Sequence, residues 1–192
     1  MPGTNRATAQ SNPFSSSAQL RLSQARAMST NKPDCVFISH QKADAAFCKQ
    51  IADYILKAGL DVYFDEYDHD LRLHRENNDP HGVTACILKG INNSNFMLCV
   101  VSPQTLGSTW VPFEVGYGFE KTQLGILAIK GVERANLPHY ALTAKFIVDA
   151  IPALNTFLRG KTAVINESRS FGQVTALAVD ARHPLANVMN IR

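Results

Sequence analysis

Residues 95–101, Asn-Phe-Met-Leu-Cys-Val-Val (NFMLCVV), form the stretch that decides the fold. Its six apolar residues from Phe96 carry no charge. They are far too few for a membrane span and have the length of a strand buried on both faces, the kind found inside a parallel sheet. Working outward, CVFIS at 35–39 is a second such run, and DVYF at 61–64 a third. Between them, residues 43–60 place Ala46, Phe47, Ile51, Tyr54, Ile55 and Ala58 at helical spacing, closed by Gly59. Residues 65–82 are a long polar segment, expected as a loop, and 83–91 a helix. Ser102 and Pro103 begin a turn after the central strand. Ser108 is the expected N-cap of a further helix that tolerates Pro112 in its first turn. A fourth strand is expected at 124–129 and a closing helix at 150–159. Strand and helix in alternation predict an α/β domain with a central parallel sheet and helices on both faces.

The chain has 192 residues, 45% hydrophobic and 18% charged, enough for one sizeable core without a disulfide or metal staple. Its net charge of +3 is unevenly placed: residues 1–27 hold Arg6, Arg21 and Arg26 and no acid, which leaves 16 basic against 16 acidic residues from Met28 onward. A neutral domain lacks the concentrated basic face that nucleic acid requires. Cys35, Cys48, Cys86 and Cys99 contain no close pair of the kind zinc ribbons and redox dithiols need. They read as free thiols in a reducing cytoplasm.

Residues 1–32 are rich in Ser, Thr, Asn, Gln and Ala and lack the apolar core of a secretory signal. They are expected as a disordered tail; an organelle transit peptide, or an extension upstream of a start at Met28, fits the same composition. The main domain is expected over 33–160. Beyond it, 161–192 is an extension of uncertain structure in which 174–179 (VTALAV) has strand or short-helix character.

In parallel sheets ligands bind beyond the carboxyl ends of the strands. Three segments meet at that edge: 39–44 (SHQKAD), 65–82 and 102–120. Trp110 and Glu114 are four apart on one predicted helix, so they share a face and can line one pocket. Ser39 and His40 end the first strand, where a hydroxyl and backbone donors can meet a phosphate; a turn serine and a solvated histidine explain the same residues equally well. Asp44 has the position of a helix-start residue and, secondarily, of a ligand contact. Asp68, His69, Asp70 and His74 offer metal-ligand chemistry without strict spacing, so no metal is expected there. Gly116 and Gly118 are only a fragment of a dinucleotide motif and are expected to let their helix pack closely on the sheet.

CVFISH at 35–40, Asp44, DVYFD at 61–65, NFMLCVVS at 95–102 and STWVPFE at 108–114 together resemble a bacterial TIR (Toll/interleukin-1 receptor) domain over about residues 34–160. The resemblance implies a flavodoxin-like fold and cleavage of the nicotinamide–ribose bond of NAD+, with NAD+ as substrate and not as cofactor. It implies Glu114 as catalytic residue, Ser39, His40, Asp44, Asp65 and Trp110 around the substrate, and self-association through TIR contacts. Short stand-alone bacterial members are similar to the TIR component of the Thoeris antiphage system, which makes a cyclic ADP-ribose isomer or related signal for a separate effector protein. The segment after the second strand matches the family's BB loop in position, but only Asp79, Pro80 and Gly82 echo its usual sequence, and a gating lid is the expected role.

Nicotinamide in NAD+ is already a pyridinium and leaves as a neutral base. The demand on the protein is therefore stabilisation of an oxocarbenium-like ribose, which a nearby carboxylate can meet. Two other readings stand beside this one. A non-catalytic TIR adaptor would act by homotypic contact and has no need of the Trp110–Glu114 pair. A nucleoside deoxyribosyltransferase-like enzyme would share the layout but carry a different motif after the first strand.

Overall fold

A computed structural model describes residues 3–7, 34–162 and 179–192. Its centre is an all-parallel sheet of five strands: β1 Cys35–Ser39, β2 Asp61–Tyr63, β3 Phe96–Val101, β4 Gln123–Ala128 and β5 Phe146–Val148. The spatial order is β2-β1-β3-β4-β5. The chain thus leaves β1 to one side and returns to its other side at β3, which puts a topological switch point, and with it a crevice, at the carboxyl ends of β1 and β3. The helices are α1 Ala45–Lys57, α2 His69–Glu76, α3 Pro80–Asn92, α4 Trp110–Lys121 and α5 Ile151–Thr162. This is the expected flavodoxin-like α/β architecture; β5 is an addition to it.

Side chains alternate across a strand, so each strand feeds two cores. Val36, Ile38, Leu98 and Val100 pack with Ile51 and Ile55 of α1 and Leu154 and Leu158 of α5. Cys35, Phe37, Met97, Cys99 and Val101 pack on the other face with Ile87 and Ile91 of α3 and Val111 and Val115 of α4. Cys35, Cys48 and Cys99 are buried free thiols and Cys86 is partly covered. Burial pushes the Cys35 thiol up to about 11 and raises those of Cys48 and Cys99, which makes all three poor nucleophiles. Gly118 does allow close packing, since a Cβ there would run into the Met97 side chain, whereas Gly116 faces open space and has no such role.

Residues 65–82 differ most from expectation. They are not a long loop: Asp65–Tyr67 forms a 3-10 turn, α2 follows, and α3 starts at Pro80 rather than at residue 83. Two aspartates explain this locally. Asp68 accepts the Leu71 N–H at the start of α2 (3.1 Å), and Asp79 accepts the Gly82 N–H at the start of α3 (3.0 Å), just ahead of a proline whose missing donor is harmless there. Leu71 is the one buried residue of α2 and anchors it in the core, while Leu73 is exposed.

Both flanking segments contribute as well. Within the stretch expected to be a disordered tail, residues 3–7 lie along β2: Asn5 bridges to Val62, the Thr4 N–H donates to Asp61 Oδ1, and Arg6 Nε donates to Asp61 Oδ2 at 2.9 Å. That covers part of an exposed sheet edge. At the other end, Leu185, Val188 and Met189 enter the α1/α5 core. The Ile151 N–H bonds to the Asn190 carbonyl and the Lys130 N–H to that of Val188. Of the segment 174–179 only Val179 is among the described residues.

Candidate active site

Ser39 ends β1 on the face that looks toward α4. Facing it, α4 turns Val111, Glu114, Val115 and Gly118 inward, the i, i+3, i+4, i+7 stripe of a helix packed on a sheet. Glu114 is therefore a carboxylate on a core stripe, 6% exposed, and the Ser39 hydroxyl donates to its Oε2 at 2.5 Å. Burial is the dominant influence on it and pushes its carboxyl up to about 8. The Ser39 hydrogen bond and the Arg75 guanidinium pull it down, while the Asp65 charge pushes it up. A carboxyl group poised near neutrality in a strand-end crevice is characteristic of sites that do chemistry.

Asp65, the first residue after Phe64, is largely buried, and its Oδ2 accepts a hydrogen bond from Arg75 of α2 at 3.1 Å. Arg75 is a site residue that the sequence did not reveal. It reaches Asp65 only because 65–76 coils back as turn and helix, and a loop reading of the segment gives it no position. His40 turns to the opposite face from Ser39 and lies against the Phe64 ring, with centroids 5.0 Å apart. Its side chain is only 3% exposed, which removes the solvated-histidine alternative.

Trp110 and Glu114 share a helix face but not an environment. Trp110 is 38% exposed at the first turn of α4, edge-to-face with Phe113, and so stands at the rim above the buried acid. Ser108 does supply the capping bond, its hydroxyl accepting the Val111 N–H at 3.1 Å. Asp44 is engaged elsewhere: it is buried and accepts a hydrogen bond from the Ser102 hydroxyl, while the Ser102 N–H donates to Thr105 Oγ1. This ties the start of the first crossover to the turn after β3, so Asp44 shapes the crevice from behind. Asp44→Ala is expected to cost about 1–3 kcal/mol of stability by leaving that buried network short of an acceptor, measured as a lower denaturant midpoint.

The four residues weighed for a metal make other contacts. Asp68 accepts the Tyr63 hydroxyl as well as the Leu71 N–H, the His69–Asp70 pair faces solvent, and His74 Nδ1 bonds to Asp79 at 2.9 Å.

A family model described as TIR domain matches residues 36–150. The chain belongs to the TIR-domain family. The match runs from the second residue of β1 to the residue before α5, and so covers all five strands together with Ser39, His40, Asp44, Asp65, Trp110 and Glu114 of this TIR domain. A search of curated proteins gives no match. Among the described residues of the TIR chain, no helix is long and apolar enough to cross a membrane.

Proposed function

We propose that this TIR domain cleaves the bond between nicotinamide and ribose in NAD+ and that Glu114 is its catalytic carboxylate. The observation that carries the reading is the buried Glu114–Ser39 pair at the switch-point crevice, where an α/β sheet presents ligands. Burying an acid on the inward stripe of α4, beside Val111 and Val115, destabilises a fold, and the cost makes sense where that acid meets a developing cation.

In the reaction the C1′–N bond breaks and its electron pair leaves with nicotinamide as a neutral base. Positive charge develops on C1′ and the ring oxygen, and the Glu114 carboxylate stabilises it across a dry gap. The Ser39 hydroxyl fixes the carboxylate's orientation by holding one oxygen. Trp110, at the rim, covers the ribose or nicotinamide and limits water. A nucleophile then adds to C1′ and gives up its proton. Water yields ADP-ribose and an internal hydroxyl of the dinucleotide yields a cyclic isomer, the class of product suited to signalling a separate effector in antiphage defence.

TIR domains commonly self-associate, and an adaptor acting by such contacts alone is the second reading. It draws on the exposed Trp110 and Phe113, which pack edge-to-face on one side of α4 and are available to a second copy. Incubating the full chain with NAD+ and resolving products by chromatography and mass spectrometry separates the two. The enzyme reading expects free nicotinamide with an equal amount of ADP-ribose or its cyclic isomer, and the adaptor reading expects intact NAD+.

A further inference from the structure

We infer that His40, Asp65 and Glu66 form a binding site for one divalent cation at the carboxyl ends of β1 and β2, beside the Glu114 crevice. One ligand atom from each of the three lies within 4.8 Å of the others. Donor pairs around a six-coordinate divalent ion span roughly 3–5 Å, so only small side-chain adjustments bring all three onto one ion. The mixed set of one imidazole and two carboxylates suits borderline to hard ions of the Mn2+ type.

The independent observation is that two of these groups each carry one buried atom with no hydrogen-bond partner. His40 Nε2 and Asp65 Oδ1 are both inaccessible to solvent and make no hydrogen bond. Orphaned buried polar atoms are costly, and these two belong to one cluster: Asp65 Oδ1 lies 3.7 Å from His40 Nδ1, and His40 Nε2 lies 4.0 Å from Glu66 Oε1. The other end of each group is already held. His40 Nδ1 lies 3.2 Å from the Ile38 carbonyl, which can only accept, so a neutral ring carries its proton there and has its Nε2 lone pair 4.0 Å from Glu66 Oε1. Asp65 Oδ2 accepts from Arg75, which leaves Oδ1 free. Imidazole anchored through its far nitrogen to a backbone carbonyl, and a carboxylate anchored through its second oxygen, are the outer contacts that orient metal ligands. A water molecule has two protons to donate and cannot serve Nε2, Oδ1 and Glu66 Oε1 together, whereas one cation can. Three convergent acceptors select a cation.

The test uses Mn2+ alone, a hard ion that avoids the four thiols, and the full chain freed of metal by chelator and desalting. No dinucleotide is present, so the result is independent of the NAD+ reading. Titration followed by the electron paramagnetic resonance signal of free Mn2+ is expected to show one equivalent bound. His40→Gln and Glu66→Gln are each expected to weaken binding at least about 10-fold. Glu66 is partly exposed and its replacement leaves the core intact, so it decides the matter even if His40→Gln impairs folding. His74→Gln, at the solvent-facing pair with Asp79, is expected to bind as wild type does. No uptake by the wild-type chain, or uptake unchanged by Glu66→Gln, overturns the inference.

Discussion

Glu114→Gln is expected to reduce nicotinamide release from NAD+ by about 100- to 1,000-fold, the usual consequence of removing one preorganised electrostatic partner of a transition state. The same substitution is expected to raise the melting temperature. Both follow from one fact: a carboxylate held in apolar surroundings is costly to the ground state and favourable when a cation forms beside it. Glutamine keeps the shape and its amide oxygen can still accept the Ser39 hydroxyl, so that hydrogen bond is kept while the charge is gone. The stability gain also depends on pH. Glu114 holds its proton up to about 8 when folded and releases it near the ordinary glutamate value of 4.5 when unfolded, so the folded state binds more protons across that interval. Wild-type stability then falls as pH rises from about 4.5 through 8, by up to about 1.4 kcal/mol per unit. Glu114→Gln lacks this contribution, and its advantage is greatest above pH 8. Thermal unfolding of both proteins at pH 6 and pH 9 checks the sign. A glutamine variant that is less stable than wild type at pH 9 speaks against a buried, costly carboxyl group.

The second large effect is on the pH profile of catalysis. Only the ionised carboxylate stabilises an oxocarbenium, so kcat/KM is expected to climb nearly tenfold per unit below pH 8 and level off above it, a rise of about 50-fold between pH 6 and pH 8. Once NAD+ is bound, its pyridinium charge favours the carboxylate form, and the profile of kcat should turn over at lower pH than that of kcat/KM. Arg75 belongs to the same balance. Arg75→Ala removes a positive charge that favours ionisation of Glu114 and is expected to move the kcat/KM midpoint upward. Initial rates across pH 5.5–9.5 check both. A profile that falls with rising pH would mean that Glu114 acts as a proton donor instead.

The sheet was legible in the sequence because its central strands are charge-free and its crossover helices punctuated. Phe96–Val101 could only be an interior strand, and Cys35–Ser39 behaves the same way. Parity along β1 and the inward stripe of α4 together bring Ser39 to Glu114, and both elements were visible, although their contact spans 75 positions. What stayed hidden lay in residues 65–82. With Leu71 as its sole buried residue, α2 has little apolar periodicity, and composition outweighed the capping signals at Asp68 and at Asp79 with Pro80. Arg75 and the convergence of His40 with Asp65 and Glu66 depend on that helix and on the turn before it. The three residues of β5 and residues 3–7 were missed for a related reason: they are short edge pieces whose structure comes from pairing with β4 and β2 rather than from their own pattern.

Nicotinamide release from NAD+ by the 192-residue chain at pH 8.5, over a range of protein concentrations and with Glu114→Gln alongside, decides whether Glu114 is the catalytic carboxylate. Wild type is expected to release stoichiometric nicotinamide and, at equal time, the variant almost none. Equal release by the two proteins, or intact NAD+ with both, would contradict that role.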